Sequence, residues 1–319
     1  MDSLNGGLEQ SEIAPDQGDN LLFVLGDDHE PLVADSARHL AIPERLFKLE
    51  ELDILYESGN EALWTYMHPA ERPSFSLTML SNFYDWQRLI GDSFGPGKVP
   101  LRYVILASRT PGVFSLGGDL ELFQGLIRSQ NREGLVAYGH RCVEILDRIM
   151  RAFELPLITV GLVQGAALGG GFEAVLAYDK IIAERGSTFG LPEVIFGLFP
   201  GMGAHSILSR KLGTAMADRL ILSNEIYTAE QMYDLGIVHQ LAEPGEGLKA
   251  CREFIEKSQR RHSGMVRAHE AMRISAPVPL AEMKQIVDLW ADAALELREQ
   301  DLKIMSRLAR AQAKLAHAA

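Results

Sequence analysis

Cysteine is scarce in this chain of 319 residues, which holds only Cys142 and Cys251, neither in a C-x-x-C pair. Two cysteines cannot build a disulfide scaffold, so a reducing compartment fits and we predict a cytoplasmic protein. The sequence has no apolar run of about 18 residues, which predicts no membrane insertion. Its first twenty residues lack the basic and apolar regions of a secretory signal.

Positive charge is also in short supply. The chain carries 31 Lys and Arg against 43 Asp and Glu, a formal net charge of −12. This balance argues against a nucleic-acid partner and against binding to an anionic membrane surface, because both need a basic field. Hydrophobic residues make up 47% of the chain, enough for a large buried core.

Several catalytic signatures are missing as well. The sequence contains no H-E-x-x-H, no cysteine and histidine cluster with zinc spacing, no G-x-S-x-G elbow and no G-x-x-x-x-G-K-[ST] phosphate loop. The nine histidines are scattered, which is typical of structural or surface roles. Metal-dependent and common nucleophilic chemistries therefore have no support in the sequence.

The elements that are present alternate between strands and helices. LDILYE and ALWTYMH flank a turn at residues 58–60 and predict a hairpin, and a helix is expected after Pro73. Residues 119–153 predict two helices that break near Gln130 and Asn131. Apolar runs at 101–108, 157–164 and 179–184 predict buried strands. This alternation indicates an α/β fold.

Three parts follow from the pattern. We predict a partly disordered N-terminal extension at residues 1–45, an α/β core at 46–215 and a helical C-terminal part at 216–319. The last of these ends in a long amphipathic stretch at Leu280–Leu315.

A glycine cluster after the strand at 157–164 admits two interpretations. Gly169-x-Gly171-x-x-Ala174 fits the dinucleotide-binding pattern, with Glu193 about 20 residues further on. The match is weak, because the next predicted strand ends near Glu184 and leaves Glu193 away from a strand end. The other interpretation is an oxyanion site at a helix start.

The oxyanion interpretation rests on two junctions. Glycines 169–171 open a helix and leave backbone N–H groups free, with Glu173 in the first turn. A second junction, at Gly117 and Gly118, follows another strand and also opens a helix. Two such amides can clasp a thioester oxygen while Glu173 and Glu193 move protons. Either feature alone would more often mean close packing or a surface glutamate; together they predict an active site.

These residues resemble a known superfamily. GLVQGAALGGGFEAVLAYDKIIAERGSTFGLPEVIFGLFPGMG (161–203) and TAEQMYDLGIVHQL (228–241) resemble the crotonase, or enoyl-CoA hydratase/isomerase, superfamily. Within it, the likeness is closest to the diffusible signal factor synthases, carried by FSLGGDLELFQGLIR (114–128), LPEVIFGLFPGMGA (191–204) and RLARAQ (307–312). The resemblance covers the chain from about residue 46 onward.

The resemblance implies a fold and site roles. The fold is a crotonase-like ββα superhelix with a helical C-terminal part, assembled as trimers or hexamers. Gly118 and Gly170 match the oxyanion-hole positions, and Glu173 and Glu193 match the two catalytic carboxylates. Substrate-binding positions are matched by Gly117, Met202 and Trp290; Trp290 is also compatible with a purely structural place between C-terminal helices.

The implied reaction is dehydration of a 3-hydroxyacyl thioester to a cis-2-enoyl thioester, followed by hydrolysis to a free cis-2-unsaturated fatty acid, a cell–cell signal. No cofactor is expected. The carrier would be acyl carrier protein or coenzyme A, and a membrane sensor kinase is a further implied partner. An enoyl-CoA hydratase/isomerase of fatty-acid degradation and a non-catalytic binding protein on the same fold are the alternatives.

An acidic carrier protein would need a basic patch on this acidic chain. The sequence offers three candidate pairs: Arg128 with Arg132, Arg210 with Lys211, and Arg260 with Arg261.

Overall fold

The computed structural model describes residues 42–317, with side chains as far as residue 311. The predicted N-terminal extension lies outside the described residues except for its last four. Within the described part, no helix is long and apolar enough to cross a membrane.

Ten strands form two sheets in the described residues. They are β1 (Leu52–Glu57), β2 (Ala62–Met67), β3 (Tyr103–Ser108), β4 (Gly112–Ser115), β5 (Ile158–Val163), β6 (Gly165–Leu168), β7 (Lys180–Glu184), β8 (Thr188–Gly190), β9 (Ile226–Thr228) and β10 (Gln240–Ala242). The first sheet has the order β1-β2-β3-β5-β7-β10 and the second β4-β6-β8-β9. Pairing is parallel except at the β1–β2 hairpin and between β8 and β9.

Eleven α-helices accompany these strands in the described part of the chain. They are α1 (Leu77–Ser93), α2 (Leu120–Arg128), α3 (Arg132–Met150), α4 (Gly170–Leu176), α5 (Ala204–Leu212), α6 (Thr214–Leu222), α7 (Ala229–Asp234), α8 (Gly247–Ser258), α9 (His262–Ser275), α10 (Leu280–Leu295) and α11 (Glu299–His317).

Chain order and sheet order together define a superhelix. The chain leaves β3 for β4, β5 for β6 and β7 for β8, passing each time from the first sheet to the second. Helices α2 and α3 follow β4, and α4 follows β6. This ββα repeat with a helical C-terminal part confirms the fold class expected from the resemblance.

The first sheet is buried on both faces, which explains its continuous apolar strands. Along β3, Val104 and Leu106 join the main core, whereas Tyr103 and Ile105 point the other way into a second cluster with Ile255 of α8. Alternate side chains of a strand lie on opposite faces, so a strand covered on both sides must be apolar throughout.

Most predicted elements are present. The β1–β2 hairpin, the helix after Pro73 and the break between α2 and α3 are confirmed. The sequence pattern did not predict the short strands β4, β6 and β8. The predicted boundary after residue 215 falls inside α6, and β9 and β10 still complete the sheets beyond it; the three-part division stays a prediction.

The predicted amphipathic stretch Leu280–Leu315 is divided between two helices, α10 and α11. The chain turns at residues 296–298, where the Asp301 carboxylate accepts the Arg298 backbone N–H at 3.1 Å and starts α11. Leu297 packs beside Gly197, at the end of the 3₁₀-helix Glu193–Phe196. The turn brings α11 against α2 and against this 3₁₀-helix.

Candidate active site

Two strand-to-helix junctions meet in space because their strands are neighbours. β4 and β6 pair in parallel, with Ser115 opposite Ala167. The chain then passes through Gly117 and Gly118 into α2, and through Gly169 into α4. Parallel strands bring their carboxyl ends to the same edge, so both glycine segments lie side by side.

The approach of the two segments is too close for side chains. A Cβ on Gly117, whose φ is +90°, would lie 2.7 Å from the Gly170 amide nitrogen, and a Cβ on Gly170 would lie 3.4 Å from the Gly118 nitrogen. Neither the Gly118 nor the Gly170 amide donates to an acceptor among the described residues. The two predicted oxyanion-hole donors are thus brought together and are available to a ligand.

The first junction is held rigidly. The Asp119 carboxylate caps α2 by accepting the backbone N–H groups of Glu121 and Leu122, both at 3.1 Å. The Tyr138 hydroxyl donates to the Phe75 carbonyl and accepts the Asp119 amide at 3.3 Å. These bonds fix the direction of the neighbouring Gly118 amide.

Glu173 lies in the first turn of α4 and is 2% exposed. Its Oε1 accepts the backbone N–H groups of Met202 at 2.8 Å and Ala204 at 3.0 Å. The Gly201–Gly203 turn supplies these amides at the start of α5, where helix N–H groups have no partner within the helix. One carboxylate oxygen is therefore anchored by the backbone.

Glu193 follows β8 of the second sheet, and its side chain lies beside the glycine junction that precedes α4. The Gly169 amide donates to the Gly190 carbonyl at 2.9 Å, which joins the end of β8 to the glycine junction. A Cβ on Gly169, whose φ is +53°, would lie 2.6 Å from Glu193 Oε1. Glu193 Oε2 is buried without a hydrogen-bond partner among the described residues, so this carboxyl is poised to meet a ligand.

The two carboxyls differ in electrostatic setting. Burial raises the pKa of Glu173 to about 7, and the two amide donors oppose the rise. Burial, and after it the charge of Glu173, raises the pKa of Glu193 to about 8. Between these two pKa values the pair therefore shares one proton.

These groups face one cavity of about 320 Å³. Its lining includes Gly118, Gly170, Glu173 and Glu193, and the remainder is mostly apolar. A deep apolar pocket with a few converging polar groups is typical of a small-molecule site.

Met202 and Trp290, which the resemblance places in the substrate-binding site, both line this cavity. The Trp290 ring is 3% exposed, packs against Gly201 and meets the Phe123 ring edge-on at 5.1 Å. Trp290 thus belongs to the pocket wall and to the core at once. Gly117 lies behind the pocket, where it permits the close approach of the two junctions.

Sequence reasoning missed much of the apolar wall. The additional lining residues include Leu116, Leu120, Phe123, Ile195, Leu198, Ile226, Leu308 and Ala311. Leu120 and Phe123 share one face of α2, a spacing that was visible in the sequence. The contribution of α11 was not visible, because it depends on the turn at residues 296–298.

A second cavity of about 30 Å³ adjoins the first, since Gly170 and Met202 line both. It is bounded by apolar side chains of α1 and α3, among them Phe83 and Leu146. Met202 is therefore the shared lining residue that has a side chain. Across the described residues, no three His, Cys, Asp or Glu side chains converge as metal ligands would.

Comparison with known proteins agrees with this geometry. The enoyl-CoA hydratase/isomerase family model matches residues 98–286, more than half of the chain. The chain therefore belongs to the enoyl-CoA hydratase/isomerase family.

Curated relatives match over parts of their length. A 2,3-dehydroadipyl-CoA hydratase of Escherichia coli K12 is 34% identical over 148 residues, 44% of this chain and 57% of that protein. An enoyl-CoA isomerase/hydratase of Mycosarcoma maydis is 30% identical over 197 residues, 61% of this chain and 64% of that protein. The match thus spans somewhat over half the length of these two relatives.

Solved structures share the fold. The enoyl-CoA hydratase from Bacillus halodurans superposes with a TM-score of 0.68 at 21% identity, over 81% of this chain and all of that one. DspI from Pseudomonas aeruginosa gives 0.59 at 22% identity, over 75% of this chain and 95% of that one. At these identities the likeness establishes the crotonase fold and no particular reaction.

Proposed function

We propose that this protein dehydrates a 3-hydroxyacyl thioester to a cis-2-enoyl thioester and hydrolyses the product to a free cis-2-unsaturated fatty acid. The observation that supports it is a pair of backbone amides, those of Gly118 and Gly170, which have no acceptor among the described residues and face an apolar cavity lined by two buried glutamates. In this proposal the substrate carbonyl oxygen lies between the two amides and the acyl chain lies along the apolar wall.

The amides act on the charge that develops at the thioester oxygen. When the C2–H bond breaks, electrons move onto that oxygen, and two N–H donors stabilise the resulting enolate more than the ground-state carbonyl. We propose that Glu193 removes the C2 proton and that Glu173 protonates the departing C3 hydroxyl. The C3–O bond then breaks, C2=C3 forms and one water is released.

This step moves the proton that the pair shares from one glutamate to the other. Dehydration begins with Glu193 ionised and Glu173 protonated, and it ends with Glu193 protonated and Glu173 ionised. Ionised Glu173 can then activate a water. Attack on the thioester carbon gives a tetrahedral oxyanion in the same hole; the C–S bond breaks, the acid is released and the thiolate takes up a proton.

The alternative is an ordinary enoyl-CoA hydratase or isomerase, and the names of the curated relatives favour it. The two functions use the same residues and differ in which carbon the activated water attacks. Attack at C3 hydrates the enoyl thioester; attack at C1 releases the acid.

The test is product analysis by mass spectrometry. Purified protein is incubated with a 3-hydroxyacyl chain on acyl carrier protein, the same chain on coenzyme A, and crotonyl-CoA. We expect free 2-enoic acid from at least one 3-hydroxyacyl substrate, absent with the Glu173→Gln variant. Hydration of crotonyl-CoA with no free acid from any substrate would favour the alternative.

Trimeric or hexameric assembly and a sensor-kinase partner stay predictions from the resemblance.

A further inference from the structure

The end of the sequence is charged opposite to the rest. Residues 302–319 contain four Lys and Arg and no Asp or Glu, whereas the whole chain carries −12. The other 301 residues therefore carry −16. A local basic segment on so acidic a protein is a feature that the proposed chemistry does not use.

In the structure, three of these cations form a stripe on α11. Lys303, Arg307 and Arg310 are spaced four and three residues apart, so they share one helix face, and all three are exposed. No carboxylate of the described residues pairs with any of them. We call these three residues the α11 basic stripe; Lys314 continues the same spacing in the sequence.

The basic pairs that the sequence suggested are differently placed. Arg132 forms a two-pronged bond with Asp292, and Arg210 does the same with Glu282. The charges of Arg132 and Arg210 are therefore neutralised locally, and such cations attract an acidic surface less than the α11 basic stripe does. The pair at residues 260–261 has no carboxylate partner among the described residues, but it does not line the cavity.

The stripe borders the candidate active site. Ala311 is exposed and also lines the cavity with Leu308, which places it at the mouth. On a helix, Ala311 lies about 40° from Arg307, because four residues advance by about one turn. The opposite face, with Met305 and Ala309, is buried in the protein. The exposed cations thus stand beside the entrance through which a thioester would enter.

We infer that the α11 basic stripe is the docking surface for an acidic acyl carrier protein that delivers the thioester; this inference rests on the proposed function. The cations extend along about 10 Å of helix and point outward. A phosphate site would instead need donors that converge on one point. An outward row of positive charge complements the acidic surface of a carrier protein, whose acyl arm could then reach past Ala311.

The experiment measures binding and turnover separately. Fluorescence anisotropy with labelled holo-acyl carrier protein compares the wild type with the Arg307→Glu/Arg310→Glu variant. We expect the Kd to rise roughly tenfold or more at low salt, and the difference to shrink at high salt, where exposed charges are screened. With a short neutral pantetheine thioester, kcat/KM should stay within about twofold, since it makes no docking contact.

The matched control is Arg260→Glu/Arg261→Glu, which reverses two exposed arginines remote from the cavity. It should leave the carrier Kd nearly unchanged. Equal weakening by both double variants would overturn the docking surface in favour of general charge attraction. An equal rise in KM for coenzyme A and carrier substrates would overturn it in favour of phosphate recognition. If wild-type protein binds the carrier but turns over no thioester, the proposed function fails while the docking surface stands.

Discussion

The glycine junctions and the C-terminal helices enclose the same cavity by different means. At the junctions, the groups offered to a ligand are two backbone amides and two carboxyls, and the amides cannot be changed by mutation. At α10 and α11, the groups are the apolar side chains of Trp290, Leu308 and Ala311. In the proposed mechanism, the first wall determines where charge is stabilised, and the second determines which acyl chain fits.

This contrast predicts how each wall responds to change. Near Gly118 and Gly170 the backbones approach so closely that any side chain meets main-chain atoms or the Phe123 ring. On α11, Ala311 is exposed and can be replaced without disturbing the core. Changes at the junctions should therefore alter rate, and changes at the helices should alter selectivity or docking.

The largest effect is expected at the carboxyls. Glu173→Gln and Glu193→Gln should each lower the dehydration rate by roughly 10²–10⁴-fold, because an amide cannot exchange the proton. The variants should fold, since in Glu173→Gln the side-chain amide oxygen can still accept the Met202 and Ala204 backbone N–H groups. Steady-state kinetics of enoyl thioester formation measure the loss.

The control for these variants is Glu51→Gln. Glu51 is also buried, at 4% exposure, and its oxygens contact the Ala70 amide and the Ser76 hydroxyl, away from the cavity. It should keep activity within about twofold. Near wild-type rates from either cavity variant would remove that glutamate from the mechanism.

The next effect concerns the amide pair. Gly170→Val should lower kcat/KM by roughly 10²–10³-fold, the size of a lost oxyanion donor, because its side chain would stand beside the Gly118 amide. Gly264→Val on α9 is the control, since a Cβ there meets nothing within 4 Å. Comparable losses in both variants would mean that helix destabilisation, not the oxyanion hole, accounts for the result.

A third prediction uses the shared proton. Catalysis in either direction needs one ionised and one protonated carboxyl, so kcat/KM should peak between the pKa values of about 7 for Glu173 and about 8 for Glu193. It should fall about tenfold per pH unit below this range, where no base is left, and above it, where no acid is left. A pH–rate profile that peaks below pH 6 would contradict this assignment.

The glycine junctions could be predicted from the sequence because the pattern that defines them is local. A strand, glycines and a helix with a glutamate in its first turn are contiguous, so Gly170 and Glu173 could be identified from a short segment. Glu193 followed from its spacing and from the resemblance. The amides of Met202 and Ala204 that hold Glu173 could not be foreseen, since they lie about 30 residues away along the chain.

The helical wall was harder to predict because it depends on tertiary packing. Leu280–Leu315 has an apolar pattern that continues through residues 296–298, and nothing in that pattern marks the turn. Only with the turn do Leu308 and Ala311 reach the cavity. The short strands β4, β6 and β8 were missed for a related reason: with three or four residues each, they have too little periodicity to detect.

The helical side also predicts a change in chain selectivity. Met202→Ala should join the cavity of about 320 Å³ to the neighbouring one of about 30 Å³, because the Met202 side chain lines both. The ratio of kcat/KM for longer or branched chains over short ones should rise about tenfold, the scale of one or two methylene contacts. Kinetics over a series of acyl lengths measure this ratio. Met232→Ala, also buried but outside both cavities, should leave it unchanged.

The smallest expected effect is on the stability of the fold. It tests whether the buried Glu193 carboxyl at the junction destabilises the folded protein. Glu193 Oε2 is buried without a partner among the described residues, and the pKa of Glu193 is raised to about 8 from an ordinary value of 4.5. The folded state therefore binds this proton more tightly than the unfolded state, so the native protein loses stability as pH rises from about 4.5 to about 8.

Glu193→Gln removes that titration. At pH 8–9 the variant should melt about 2–4 °C above the wild type, corresponding to about 1 kcal/mol in a chain of this size. At pH 5, where wild-type Glu193 is protonated in the folded state, the two should melt much closer together. Thermal unfolding followed by circular dichroism at both pH values gives the comparison. A variant that melts lower at pH 8–9 would show that the Glu193 carboxylate is well stabilised in the fold, contrary to the buried, unpartnered oxygen described above.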